Sequence, residues 1–132
     1  MVTAIPLKMR GDTFLANCAL GGPSGIKILG VIDSGSSISF LSETACERAK
    51  LKYKGSENKF MCIHGKGHRK IDVRCYRGVI VVGTKAGSGT VYALDVRPTV
   101  NGMRVDAVLG RDILRHFRVT LDWRDGTGWL EE

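Results

Sequence analysis

The stretch Val31-Ile32-Asp33-Ser34-Gly35-Ser36 sets a carboxylate at the end of an apolar, β-branched run and follows it with small polar residues. β-Branched side chains favour strands, whereas Ser and Gly favour turns. Asp33 is therefore expected on a small loop held between two strands, Ile26 to Ile32 before it and the apolar positions Ile38, Phe40 and Leu41 after it. A second stretch, Ala107-Val108-Leu109-Gly110-Arg111-Asp112-Ile113-Leu114, reads as a buried strand leading through a glycine into a short helix. Asp112 is expected to cap that helix, which carries Ile113, Leu114 and Phe117. An Asp-Ser-Gly alone is an ordinary turn tripeptide whose aspartate binds nearby amides.

Outward from these stretches the pattern is mostly that of strands. Thr13 to Leu20 and Ile26 to Ile32 form a hairpin across Gly21, Gly22, Pro23, Ser24 and Gly25. Thr3, Ile5 and Leu7 alternate on one face, and Pro6, with no amide proton, belongs on a sheet edge. Ser42 is placed to cap a helix with Glu43 at its positive end and Ala45, Cys46 and Ala49 on its apolar face. Lys50 to Lys59 reads as an exposed connection. Phe60 to Ile63 and Ile71 to Tyr76 pair across the tip His64-Gly65-Lys66-Gly67-His68, and Val79 to Val82 pairs with Thr90 to Val96 across Gly83 to Gly89. Val119, Leu121 and Trp123 alternate at strand period, and Trp129 and Leu130 return against them.

The 132 residues, 43% hydrophobic, suffice for one domain spanning 1–132 with a modest core. Seventeen glycines against three prolines fit a turn-rich β protein. The net charge of +7 is spread along the chain without a long like-charge run, which favours a solvated surface over a nucleic-acid patch. There is no apolar stretch of bilayer length, and Met1 to Arg10 lacks the order of a signal peptide, so the expectation is a soluble, cytoplasmic protein without a membrane span. In that compartment Cys18, Cys46, Cys62 and Cys75 are expected reduced and partly buried.

The two stretches together, with a glycine-tipped hairpin between them, resemble the retropepsin-like aspartic protease family, and the resemblance runs from about Ile5 to Leu130. It implies a mostly-β, closed-barrel domain with one or two short helices. It also implies a homodimeric endopeptidase in which Asp33 and its symmetry mate activate a water against a polypeptide substrate, with no cofactor or metal. By the same resemblance Ser34 hydrogen-bonds across the dimer, Gly35 lets substrate approach, and Ser36 donates to the catalytic carboxylate, which would favour an acidic optimum. Gly65, Lys66 and Gly67 take the place of a flap, and Gly110, Arg111 and Asp112 that of the supporting motif. Ser37 stands where several viral members have an Asp that pairs with the Arg of the Gly-Arg segment, so Arg111 loses that partner. The terminal hairpin is more like that of cellular and retroelement members. A non-catalytic dimerisation or peptide-binding scaffold on the same fold is the alternative.

Other chemistries find less support. Cys62, His64, His68 and Cys75 are zinc-ligand types without finger spacing. Gly-x-Ser-x-Gly is absent, no cysteine lies in a nucleophile segment, and Gly65-Lys66 lacks the rest of a phosphate loop. Trp123 and Trp129 could stack on a base, but large aromatics more often serve a core or a dimer contact. His116 is expected at the surface or its boundary.

Overall fold

Pro6 lies in the edge strand β1 (Ala4–Pro6), where its missing amide proton interrupts no ladder. The computed structural model describes residues 3–21, 25–63, 67–94, 99–100 and 102–132. After β1 come β2 (Lys8–Arg10), β3 (Thr13–Leu20), β4 (Ile26–Ile32), β5 (Phe40–Ser42) and helix α1 (Glu43–Arg48). A long hairpin, β6 (Lys52–Ile63) and β7 (Gly67–Val82), leads into β8 (Lys85–Leu94) and the short pair β9 (Thr99–Val100) and β10 (Met103–Arg104). β11 (Ala107–Leu109), helix α2 (Arg111–Leu114), β12 (Arg118–Asp122) and β13 (Thr127–Glu131) complete the chain.

The main sheet runs β2-β3-β4-β11-β5-β8-β7-β6, and β3 also pairs with β7. That extra pairing, Ala19 with Val81 and Leu20 with Ile80, returns the ladder to its start and closes a barrel. The core cluster includes Leu20, Leu109, Leu130 and Cys46, all essentially inaccessible, and Leu15, Val73 and Val105 are equally buried outside that cluster. A separate sheet, β1-β13-β12, lays Leu130 on the core and leaves Trp129 39% exposed, as successive residues of one strand must face opposite ways.

Glycines appear where backbones or side chains crowd. A Cβ on Gly30 would stand 3.0 Å from Leu109 Cγ, so its absence lets β11 lie close beside β4. Ser42 caps α1 as its sequence predicts, accepting from the Ala45 amide at 3.1 Å. Glu43 in the first turn receives Arg74 Nη1 at 2.5 Å and the Tyr76 hydroxyl at 3.5 Å, tying α1 to β7. Glu43 thereby holds the Arg74 guanidinium above its usual pKa.

Three segments depart from the sequence expectation. The expected connection from Lys50 to Lys59 is instead strand from Lys52, paired along β7 from Arg77 upward. Its Lys, Glu and Asn residues present no apolar stripe because β6 is an edge strand, where charge protects the open ladder. The expected loop Gly83 to Gly89 shrinks to a tight turn at Gly83 and Thr84, with Gly83 at φ 62° and Val82 opposite Lys85. The glycines beyond it are strand residues. The hairpin tip is also shorter than expected, because Gly67 already pairs with Ile63. Gly65 and Lys66 lie outside the described residues.

Candidate active site

The two decisive stretches meet side by side. β4 and β11 run parallel in the register Gly30–Ala107, Val31–Val108 and Ile32–Leu109, and the Asp33 amide continues the ladder to the Leu109 carbonyl at 3.0 Å. Asp33 thus starts its loop from a fixed backbone position at the end of two interior strands of the main sheet. The carboxylate is half-buried, and its Oδ1 accepts the Gly35 amide at 3.0 Å, while the Ser36 amide donates to the Asp33 carbonyl at 3.2 Å. Ser34 and Gly35 are exposed beside it. Among the described residues no donor reaches Oδ2, leaving one oxygen open to a water or a partner group.

The second stretch holds this loop from behind. The Arg111 amide donates to the Ser36 carbonyl at 2.8 Å, and Arg111 Nη1 donates to the Ser34 carbonyl, also at 2.8 Å. The guanidinium that loses a carboxylate partner at Ser37 therefore binds the backbone of the Asp33 loop instead. Gly110 is steric in purpose, since its backbone is extended at φ −92° and any residue could adopt it. A Cβ there would lie 2.8 Å from the Ser36 carbonyl oxygen and closer still to that of Ile38.

Asp112 is not the helix cap that its position suggested. Gly110 is the N-cap and provides no side-chain bond, while the Asp112 carboxylate turns to Ser39, accepting its hydroxyl at 2.6 Å and its amide at 3.0 Å. The Gly110 amide donates to the same Ser39 oxygen at 2.9 Å. Ser39, 8% exposed, was not singled out from sequence. The only local signal was a hydroxyl at the edge of an apolar run, and its partner lies 73 residues away.

Ser36 also differs from its expected role. Its hydroxyl donates to the Ile38 carbonyl at 2.6 Å and so directs its single proton away from the Asp33 carboxylate. A buried polar pair ties the start of α1 to the residue before β11. Asp106, 8% exposed, accepts the Ser42 hydroxyl at 2.9 Å, and its backbone joins Leu29 and Ser42. The site accordingly consists of one half-buried carboxylate on a loop hydrogen-bonded to β11 through Asp33 and to α2 through Ser34, Ser36 and Ser39. Among the described residues no cluster of His, Cys, Asp and Glu could hold a metal ion.

No protein-family model matches this sequence, and no curated protein matches it. Solved structures do resemble it in fold. A retropepsin-like aspartic protease from Rickettsia conorii superposes with a TM-score of 0.61 at 18% identity, covering 99% of this chain and 92% of that one. The EIAV protease in complex with the inhibitor HBY-793 gives 0.58 at 17% identity over 77% of this chain and 85% of its own. The retroviral protease-like domain of Ddi1 from Leishmania major gives 0.51 at 13% identity over 86% of this chain and 83% of its own.

Proposed function

We propose that this retropepsin-like chain is one half of an aspartic endopeptidase, completed by a second copy that brings its own Asp33. The observation that supports this reading is the position of Asp33, at the end of β4 on a loop tied to Leu109, Gly110 and Arg111, with one carboxylate oxygen open. The chain contains a single Asp-Ser-Gly, and metal-free hydrolysis by carboxylates needs two. Two-fold symmetry supplies the second without any further sequence.

In the dimer the two carboxylates share one proton, because ionising both at short range is electrostatically costly. The ionised member takes a proton from water as that water attacks the peptide carbonyl, and the protonated member donates to the leaving amine. Ser34 and Gly35 lie at the exposed edge where substrate backbone and partner loop would approach, Ser36 and Arg111 hold that edge in shape, and Gly110 and Asp112 support it. Gly65, Lys66 and Gly67 are assigned the closing flap by their resemblance to the family's sequence pattern. The substrate is an extended polypeptide segment.

The test is cleavage of an unfolded protein from acidic to neutral pH by wild type and Asp33→Asn over a range of chain concentrations. Activity should rise faster than linearly with concentration until dimers saturate. It should fall by at least about a thousandfold in the variant. Turnover should also decline as pH rises and the shared proton is lost. Cleavage that survives Asp33→Asn, or a folded dimer without cleavage at any pH, would overturn the reading.

A further inference from the structure

A cavity of about 310 Å³ opens beside the Asp33 loop without including Asp33 itself. That size is in the range of small-molecule sites. One wall is the β7–β8 hairpin, where Ile80 stands opposite Gly87, Gly78 opposite Gly89 and Val82 opposite Lys85. Opposed residues of an antiparallel pair share a face, so the glycines remove side chains from the face that Ile80 and Val82 occupy. A Cβ on Gly87 or Gly89 would meet nothing within 4 Å. The facing wall is apolar too, formed by Leu41 on β5 with Ile113 and Phe117 at α2. Glycine inside a strand commonly marks a place where another group approaches closely.

The cavity has a polar edge. Lys85 is exposed, and among the described residues no carboxylate pairs with it. Asp112 also borders the space, but its oxygens are engaged by Ser39 and the Ile113 amide. An occupant with an apolar body and a single anionic end therefore matches the walls and the rim together. Ser39 and Asp112, which line the cavity, are the groups that position Gly110 and hence the Asp33 loop.

We propose that this cavity binds small amphipathic carboxylates, of which a medium-chain aliphatic acid is the simplest, and that occupancy is transmitted through Ser39 and Asp112 to the Asp33 loop. The apolar chain lies over Gly87 between Ile80 and Phe117, and the carboxylate meets Lys85. Neither binding nor the loop response requires turnover, so their failure is distinguishable from failure of the peptidase reading.

The experiment is an NMR titration of the full chain with octanoate and with octanol. Octanoate should shift the Leu41, Ile80, Val82 and Ile113 methyl signals saturably, with a dissociation constant on the order of 1 mM. The Gly35 and Ser36 amides should follow the same isotherm, and octanol should bind roughly tenfold more weakly for want of the charged contact. Lys85→Met should bring octanoate down to the level of octanol. Gly87→Phe, which fills the open wall, should abolish both. Absence of saturable shifts, or binding undiminished in Gly87→Phe, would overturn the site. Equal binding of octanoate and octanol to the wild type would overturn the anion assignment, and unmoved Gly35 and Ser36 amides would overturn the coupling.

Discussion

Gly110 and Ser39 show how single atoms set the shape of the Asp33 loop. Gly110→Ala would thrust a methyl group between the Ser36 and Ile38 carbonyls, which are backbone and cannot swing aside. Thermal or denaturant unfolding should report a loss of about 2–3 kcal/mol, with the proposed peptidase activity lost more completely than stability because the strain falls on the Asp33 loop. Ser39→Ala removes the hydroxyl shared by Asp112 and Gly110, and should cost about 1–3 kcal/mol. The thiols give a pH prediction. Burial pushes Cys18 up to about 12 from 9.0, and burial together with the charges of Glu43 and Glu47 does the same to Cys46. The unfolded thiols lose their protons near 9.0 while the folded ones keep theirs to about 12. Their contribution is therefore complete below the lower value and is lost as pH rises between the two, so unfolding followed by denaturant should show stability falling across that window. The same two thiols should resist alkylation at neutral pH until the chain is unfolded.

At the scale of elements, local chemistry was readable wherever it acted on neighbours. The β3 and β4 limits follow directly from the alternation and the turn residues between them, and α1 starts where Ser42 can cap it. Ser42→Ala should lose about 1–2 kcal/mol in equilibrium unfolding, since the same hydroxyl caps α1 and serves the buried Asp106. A restoring Ser42→Thr should recover part of it. The elements misread from sequence are those whose strand character comes from a partner. β6 has the composition of a loop and becomes a strand because β7 supplies its hydrogen bonds. Gly87 and Gly89 look like turn residues and lie in β8 because the turn is already made at Gly83.

For the whole molecule, the closing pair of β3 with β7 joins segments distant in sequence, and amide exchange at Leu20 and Val81 should therefore be among the slowest, reporting global rather than local opening. The proposed activity is a property of two chains, so dilution should abolish it without unfolding the subunit. The sequence alone determined the strand-rich character, the carboxylate at the end of β4 and its kinship with the Leu109-Gly110 stretch, because those features are written in alternation and in residues with unusual backbone or hydrogen-bonding preferences. Tertiary structure alone decided that Asp112 serves Ser39 instead of capping α2, that Arg111 grips the Ser34 carbonyl, that the Ser36 proton goes to Ile38, and that the glycines of β8 leave a cavity behind the loop. Each of these depends on which of several competent partners arrives within hydrogen-bond or contact distance, and that is set by the parallel seating of β11 beside β4 and by closure of the barrel.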